Sequence, residues 1–217
     1  AKVAHRATYT VDANWKLATD NYQECFHCVS VHSVFPRSHA TASPDDEVRE
    51  LRAESSRRAR EMGIEIPAVI DWPLCQIPGE EMVACYHDAL HPGFVTGSVD
   101  GAPVAPLMGE FHDYDGGLTL FDVGPSSFFL AYPDHGVLFM FVPRGPQKTD
   151  IEISWLVADH AIEGEDYDLG RLIELWDVTS LEDKLVIEQT QKGVNSRYYQ
   201  PGPLGLMETS PKAFVEW

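Results

Sequence analysis

Residues 118–158 read LTLFDVGPSSFFLAYPDHGVLFMFVPRGPQKTDIEISWLVA, and this stretch decides the fold. Leu118–Val123, Ser127–Tyr132, Gly136–Val142 and Thr149–Ala158 are short runs rich in β-branched and aromatic residues, each bounded by Gly, Pro or Asp. Runs of this kind joined by tight turns predict an antiparallel meander. Upstream, Met82–His87 reads as another strand, and Lys2–Val11 alternates with Thr and Tyr as a first one. Downstream, about Tyr167 to Val194 reads as one long helix in which Leu172, Trp176, Thr179, Asp183, Ile187 and Thr190 recur at intervals of three and four and share a face. The pattern predicts a single α+β domain, an antiparallel sheet packed on a long C-terminal helix.

Between the first strand and the meander, Asp12 or Asn14 can cap a helix carrying Trp15, Leu17, Ala18, Tyr22 and Cys25 at helical spacing, with Pro36 as its stop. Ser43–Gly63 carries charges of both signs and reads as a solvated helix, and the Pro-interrupted Ile64–Gly79 as irregular. No repeat or internal linker divides the chain.

The 217 residues include 34 Asp and Glu against 16 Lys and Arg, a net charge of −18. The acidic excess argues against a nucleic-acid-binding surface, and no apolar run approaches the roughly 20 residues that span a bilayer. Without a basic-then-apolar leader, a cytoplasmic location is expected. The abrupt ends at Ala1 and Trp217 leave open that this is one piece of a longer polypeptide. Cysteines stand at 25, 28, 75 and 85. The Cys25/Cys28 pair lacks the further ligands of a zinc site and the βαβ setting of a redox motif, so the four are expected to be unlinked structural thiols in a reducing compartment.

Chemistry concentrates in two places. The first is Asp20-Asn-Tyr-Gln-Glu24-Cys-Phe-His27-Cys-Val-Ser-Val-His32. On a continuous helix Glu24 and His27 lie about 60° apart and share a face, whereas His27 and His32 are about 140° apart and converge only if the helix bends, bulges or ends between them. The pair is either a satisfied core cluster or a metal site. The second is Asp183, set in the inward stripe of the long helix, where an unpaired carboxylate is costly. It calls for an Arg, a Lys or a cation, while Glu182 next to it can reach solvent. Two neutral imidazoles and one carboxylate compose the facial triad of a non-heme Fe(II) oxygenase.

Here the sequence resembles the catalytic domain of Rieske non-heme iron oxygenase α-subunits. The matching features are the acid-x₃-acid-x₂-His-x₄-His pattern on Asp20, Glu24, His27 and His32, preceded by NWKL at 14–17, then Glu182-Asp183 with Gln191-Lys-Gly193 and NSRYYQPGPL at 195–204. The resemblance spans about residues 8 to 217. It implies a helix-grip (START-like, Bet v 1-like) fold, with residues 1–217 as the catalytic mononuclear iron domain. It also implies Fe(II) on His27, His32 and Asp183, and a homotrimeric parent enzyme. The role implied for Glu24 is to hydrogen-bond His27 and, across a subunit interface, a cluster-binding His of the neighbouring Rieske domain; Asp20 helps orient the same helix or merely carries an N-terminal helix charge.

FHDYDGG at 111–117, PRGPQKTD at 143–150 and LWDVTSLEDK at 175–184 are most similar to members that demethylate glycine betaine, carnitine and related quaternary ammonium compounds, as is Glu at position 24. For such a substrate Tyr22, Phe26, Phe111 and Trp176, with Tyr114 and Phe128, are candidates for the pocket, since a quaternary ammonium is held by aromatic faces. The family's [2Fe–2S] motif, C-x-H followed by C-x₂-H, is missing, so the cluster belongs on a Rieske domain outside this chain. O₂, that domain, and a separate reductase or ferredoxin drawing on NAD(P)H would complete the reaction, and the chain alone would turn over poorly. The other readings are an aromatic-ring-hydroxylating dioxygenase and a metal-free helix-grip ligand-binding domain.

Overall fold

The computed structural model describes residues 1–40, 43–66, 83–205 and 208–216. In chain order the elements are β1 (Lys2–Val11), α1 (Trp15–Gln23), α2 (Cys28–Val31), α3 (Phe35–Ser38), α4 (Asp45–Glu61), β2 (Val83–Ala89), β3 (Gly117–Val123), β4 (Ser127–Ala131), β5 (Gly136–Gly145), β6 (Lys148–Val157), α5 (Leu169–Val194) and α6 (Thr209–Glu216). The strands form one antiparallel sheet in the order β1-β6-β5-β4-β3-β2. The meander from β2 to β6 follows the sequence, and β1 returns to pair with β6, placing α1 to α4 in the connection between the two sheet edges. The expected strands agree to within a few residues; Met82 and most of Ile64–Gly79 lie outside the described residues.

The strand alternation sets the inward face. Ile153 of β6, Phe139 of β5 and Phe128 of β4 form one cross-strand row, and Trp155, Val137, Leu130, Leu120 and Tyr86 form the next. Ile151, Ile153, Trp155, Val137 and Phe139 are fully buried, because α5 crosses this face and lays Leu172, Leu175, Trp176 and Ile187 against it. The sheet therefore grips a long helix, as expected.

Two details of the helices differ from expectation. The inward stripe of α5 ends on Gln191, which is buried, and Thr190 is exposed. Gln191 follows Ile187 by four residues and its side-chain oxygen accepts the backbone N–H of Asn14 at 2.8 Å, tying the start of α1 to the end of α5. Pro36 starts a helix instead of stopping one: it sits in the first turn of α3, where a missing N–H costs nothing. The charged Ser43–Gly63 stretch does contain a helix, α4, with Asp45, Asp46 and Glu47 in its first turn and Arg58 and Arg60 in its last, matching its dipole. It is more than a solvated excursion, since Ser55, Ser56 and Ala59 are buried and Arg52 bonds Asp88 of β2 through both Nε and Nη2, at 2.7 and 3.0 Å.

Ile153 has no exposed surface and sits at the centre of the gripped row. Ile153→Ala should destabilise the domain by about 2–5 kcal/mol and Ile153→Val by about 0.5–1.5 kcal/mol, read as shifts of the denaturant midpoint at unchanged slope.

Candidate metal centre

The His27/His32 segment is not one helix. α1 stops at Gln23, and Glu24 is extended (φ −123°, ψ 163°). The chain turns through residues 25–27, and the single-turn α2 is bounded by His27 before it and His32 after it. The expected obstacle, about 140° between the rings on a continuous helix, is removed by this break, and the ring centroids lie 5.1 Å apart at 73°. The same break places Asp20 in the last turn of α1, so a favourable N-terminal helix charge does not account for it.

Both imidazoles face Asp183 of α5. Its Oδ1 lies 3.1 Å from His27 Nε2 and 3.4 Å from His32 Nε2 and accepts Asn21 Nδ2 at 2.7 Å. The opposite ring nitrogens are held by two other carboxylates. Glu24 Oε1 is 2.7 Å from His27 Nδ1, and Glu182 Oε2 is 3.1 Å from His32 Nδ1. Glu182 is itself fixed by the Ser33 hydroxyl, which donates to it at 2.7 Å. Glu182 reaches solvent as expected, its side chain being 22% exposed, while Ser33 turns its backbone N–H and hydroxyl toward that carboxylate.

The centre is buried, Asp183 being 2% exposed and His32 7%. Burial raises the cost of a charge on Asp183, but the hydrogen bonds from His27, His32 and Asn21 outweigh it and hold the carboxyl below its usual range. Burial likewise works against a charge on His27, yet the bonds to Asp183 and Glu24 prevail and push its pKa up to about 9.

The donor set fits a divalent metal. A metal–ligand bond of about 2.1 Å puts neighbouring octahedral donors about 3.0 Å apart, close to the 3.1 and 3.4 Å from the shared carboxylate oxygen to the two Nε2 atoms. A carboxylate behind each imidazole is the outer arrangement that fixes ring tautomer and orientation in metal sites. Cys28 lies within 4.8 Å of the two histidines, but its sulfur is joined to Cys25. This disulfide overturns the expectation of unlinked thiols at 25 and 28: the turn through residues 25–27 brings the two Cα atoms to 5.0 Å, within bonding reach. Cys85 is a free, half-buried thiol, and Cys75 lies outside the described residues.

A cavity of about 210 Å³ opens on His27, His32 and Asp183. Of the aromatic candidates, Tyr22, Phe128 and Trp176 line it. Phe26 is 60% exposed, the Tyr114 hydroxyl donates to Asp134, and neither they nor Phe111 belong to the cavity wall. Sequence reasoning missed Phe35, His39, Tyr86 and Asp88 on that wall. Phe35 stacks on His39 at 4.4 Å, and burial holds His39 neutral, its pKa pushed down to about 4. The spacing of four between Phe35 and His39, directly after His32, was the available signal.

Glu182→Ala frees the His32 ring while leaving all three donors. Fe(II) affinity should fall about 10–100-fold in an anaerobic titration, with the unfolding midpoint little changed; unaltered affinity would rule out this supporting role.

Comparison with known proteins agrees with the geometry. The family model for the ring hydroxylating alpha subunit (catalytic domain) matches residues 1–217. The glycine betaine monooxygenase oxygenase subunit of Chromohalobacter salexigens is 32% identical over 219 residues, covering 100% of this chain and 48% of that protein. Its namesake from Pseudomonas aeruginosa is 32% identical over 224 residues, covering 100% of this chain and 51% of that protein. The chain thus spans about half the length of the curated relatives it matches. Among solved structures, a quaternary ammonium Rieske monooxygenase superposes with a TM-score of 0.55 at 19% identity, over 92% of this chain and 42% of that one. Dicamba monooxygenase superposes with a TM-score of 0.54 at 16% identity, over 98% of this chain and 57% of that one; at these identities the two share the fold. With the family model matched from end to end over a sheet, a long helix and a two-histidine, one-carboxylate centre, the chain belongs to the ring-hydroxylating α-subunit family, as its catalytic domain.

Proposed function

We propose that this domain is the iron-bearing half of a Rieske-type monooxygenase that oxidatively N-demethylates a quaternary ammonium compound. The observation that carries the proposal is the convergence of His27 and His32 on one oxygen of Asp183, at a cavity walled by aromatic rings and carboxylates without a lysine or arginine. The undescribed residues 41–42, 67–82, 206–207 and 217 contain neither Lys nor Arg by sequence. A permanent cation without N–H donors is held by aromatic faces, and Tyr22, Phe35, Phe128 and Trp176 provide them; the nearby Asp88 is already paired with Arg52.

His27, His32 and Asp183 would hold Fe(II), which supplies O₂ activation for C–H hydroxylation when bound. Glu24 and Glu182 orient the imidazoles from behind, and Asn21 fixes the carboxylate oxygen the rings share. The aromatic wall excludes water and presents one N-methyl group to the centre. The hydroxymethyl product, a carbinolamine, collapses to formaldehyde and the demethylated amine. Electrons would come from a Rieske [2Fe–2S] domain outside this chain, supplied in turn by a reductase or ferredoxin. Glu24, bonded to His27 and part-exposed, would couple the centre to that domain of a neighbouring subunit in a homotrimer. Among the described residues no helix is long and apolar enough to cross a membrane.

His27→Ala and Asp183→Ala should abolish Fe(II) loading by metal analysis; normal iron content in either overturns the ligand assignment. The full-length enzyme with its reductase, given betaines, carnitine and aromatic acids, should release formaldehyde with the quaternary ammonium compounds. Ring diols without formaldehyde would make it a ring dioxygenase instead.

A further inference from the structure

Asp122 is out of place by the logic of the sheet. Leu118, Leu120 and Asp122 alternate onto the inward face of β3, and the register sets Asp122 opposite Phe128, continuing the Ile153–Phe139–Phe128 row. The row continues to Ala84 of β2, and a carboxyl set within such an apolar row needs a partner or a purpose. Among the described residues the carboxylates lining the metal cavity are all engaged, Glu24 by His27, Asp88 by Arg52, and Asp183 by both histidines and Asn21. Asp122 has no such partner among the described residues. Burial alone pushes its pKa up to about 6. Among the described residues the titratable groups on the same wall are Tyr86 of β2 and Tyr22 of α1, with Cys85 on the opposite face of β2, and burial keeps all three neutral near pH 7.

Asp122 lines a second cavity, of about 90 Å³, directly behind the first. The two share Tyr22, Gln23, Tyr86, Leu120 and Phe128 as a common wall. At its other end the second cavity is bounded by Gly124, Pro125 and Ser127 at the β3–β4 turn, where β3 reaches the protein surface and Val123 is 49% exposed. Three polar atoms of residues on its walls, Thr19 Oγ1, the Tyr22 hydroxyl and Gln23 Oε1, are buried without a protein partner among the described residues. Buried polar atoms around a chamber of this size are satisfied by ordered water, and there is room for several molecules.

We propose that Asp122 and this chamber form the proton inlet of the metal cavity. The inference rests on the oxygenase reading, because hydroxylation consumes protons: R–CH₃ + O₂ + 2 e⁻ + 2 H⁺ gives R–CH₂OH + H₂O. One C–H bond breaks, one C–O bond forms, and the second oxygen atom leaves as water. The two electrons come from an iron–sulfur donor. The protons travel from solvent at the β3–β4 turn to Asp122, and through the chamber's water past Gln23 and Tyr22 into the cavity. Asp122 is then reprotonated from solvent.

Two measurements on the full-length enzyme test this. In infrared difference spectra of wild type against Asp122→Asn, a protonated-carboxyl band present at about pH 5 should give way to a carboxylate band by about pH 8, centred near the shifted pKa of about 6. A carboxylate already ionised at the acid end overturns the proposal whatever the activity. In steady-state assays Asp122→Asn should lower kcat about tenfold or more, with KM and iron content unchanged, and added formate or imidazole should restore part of the rate. Asp122→Glu should keep most of the activity without rescue. Wild-type turnover in Asp122→Asn, or a loss that small acids do not relieve while Asp122→Glu is equally impaired, refutes the relay and leaves the demethylase reading standing. Failure of the wild-type enzyme to oxidise any compound in the panel refutes that reading and the relay with it.

Discussion

The site depends on one oxygen atom. Oδ1 of Asp183 is approached by His27, His32 and Asn21, which arrive from three successive pieces of chain: α1, the turn after it and the residue that ends α2. A buried carboxylate is tolerated only when its lone pairs are met, so burying Asp183 under the sheet obliges the whole α1–α2 segment to deliver donors to it. The break at Glu24 follows from that demand, since an unbroken helix could present one imidazole to Asp183 but not both.

The sheet provides the depth at which this is possible. Its central strands bury a continuous apolar layer against α5, and the polar groups are displaced toward the β2–β3 side, where Asp88 and Asp122 sit in two of the inward rows. The cavity on His27, His32 and Asp183 and the smaller one behind it therefore share a single wall of aromatic and aliphatic side chains, with Gln23 as its polar member. An apolar interior strengthens every electrostatic contact made inside it, which suits the capture of a cation and the holding of carboxyl groups away from their ordinary titration ranges.

Much of the fold was legible in the sequence because strand alternation and the stripe of α5 are local patterns. Lys2–Val11 and Val194 mark element ends in sequence and structure alike. Asp183 was visible as a carboxylate in the inward stripe of α5, whereas His27 and His32 stood about 140° apart on a continuous helix and were joined to it only by the family resemblance. What was not legible depends on contacts distant in sequence. That Glu182, while reaching solvent, also holds His32 and Ser33 needs residues 150 apart to meet, and the Cys25–Cys28 bond requires the turn that no propensity announces. Phe26 and Phe111 were chosen for their chemistry, but exposure of the first and the absence of both from the wall follow from backbone direction. Asp122 was hidden for the opposite reason: its alternation with Leu118 and Leu120 was available in the sequence, but its meaning needs the chamber behind it.

Glu182 and Asp183 are consecutive residues of α5 that take hold of opposite edges of the same His32 ring, one at Nδ1 and the other at Nε2. Their side chains diverge by about 100° around the helix axis, so the imidazole lies between them like a key between two wards. α5 is thereby fixed in rotational phase as well as in position. Sliding or turning it by one residue loses both bonds together, and the long helix reports its angular setting directly to the centre. The angular setting of the candidate metal centre is in this sense a property of the helix's azimuth, set over 26 residues by its grip on the sheet.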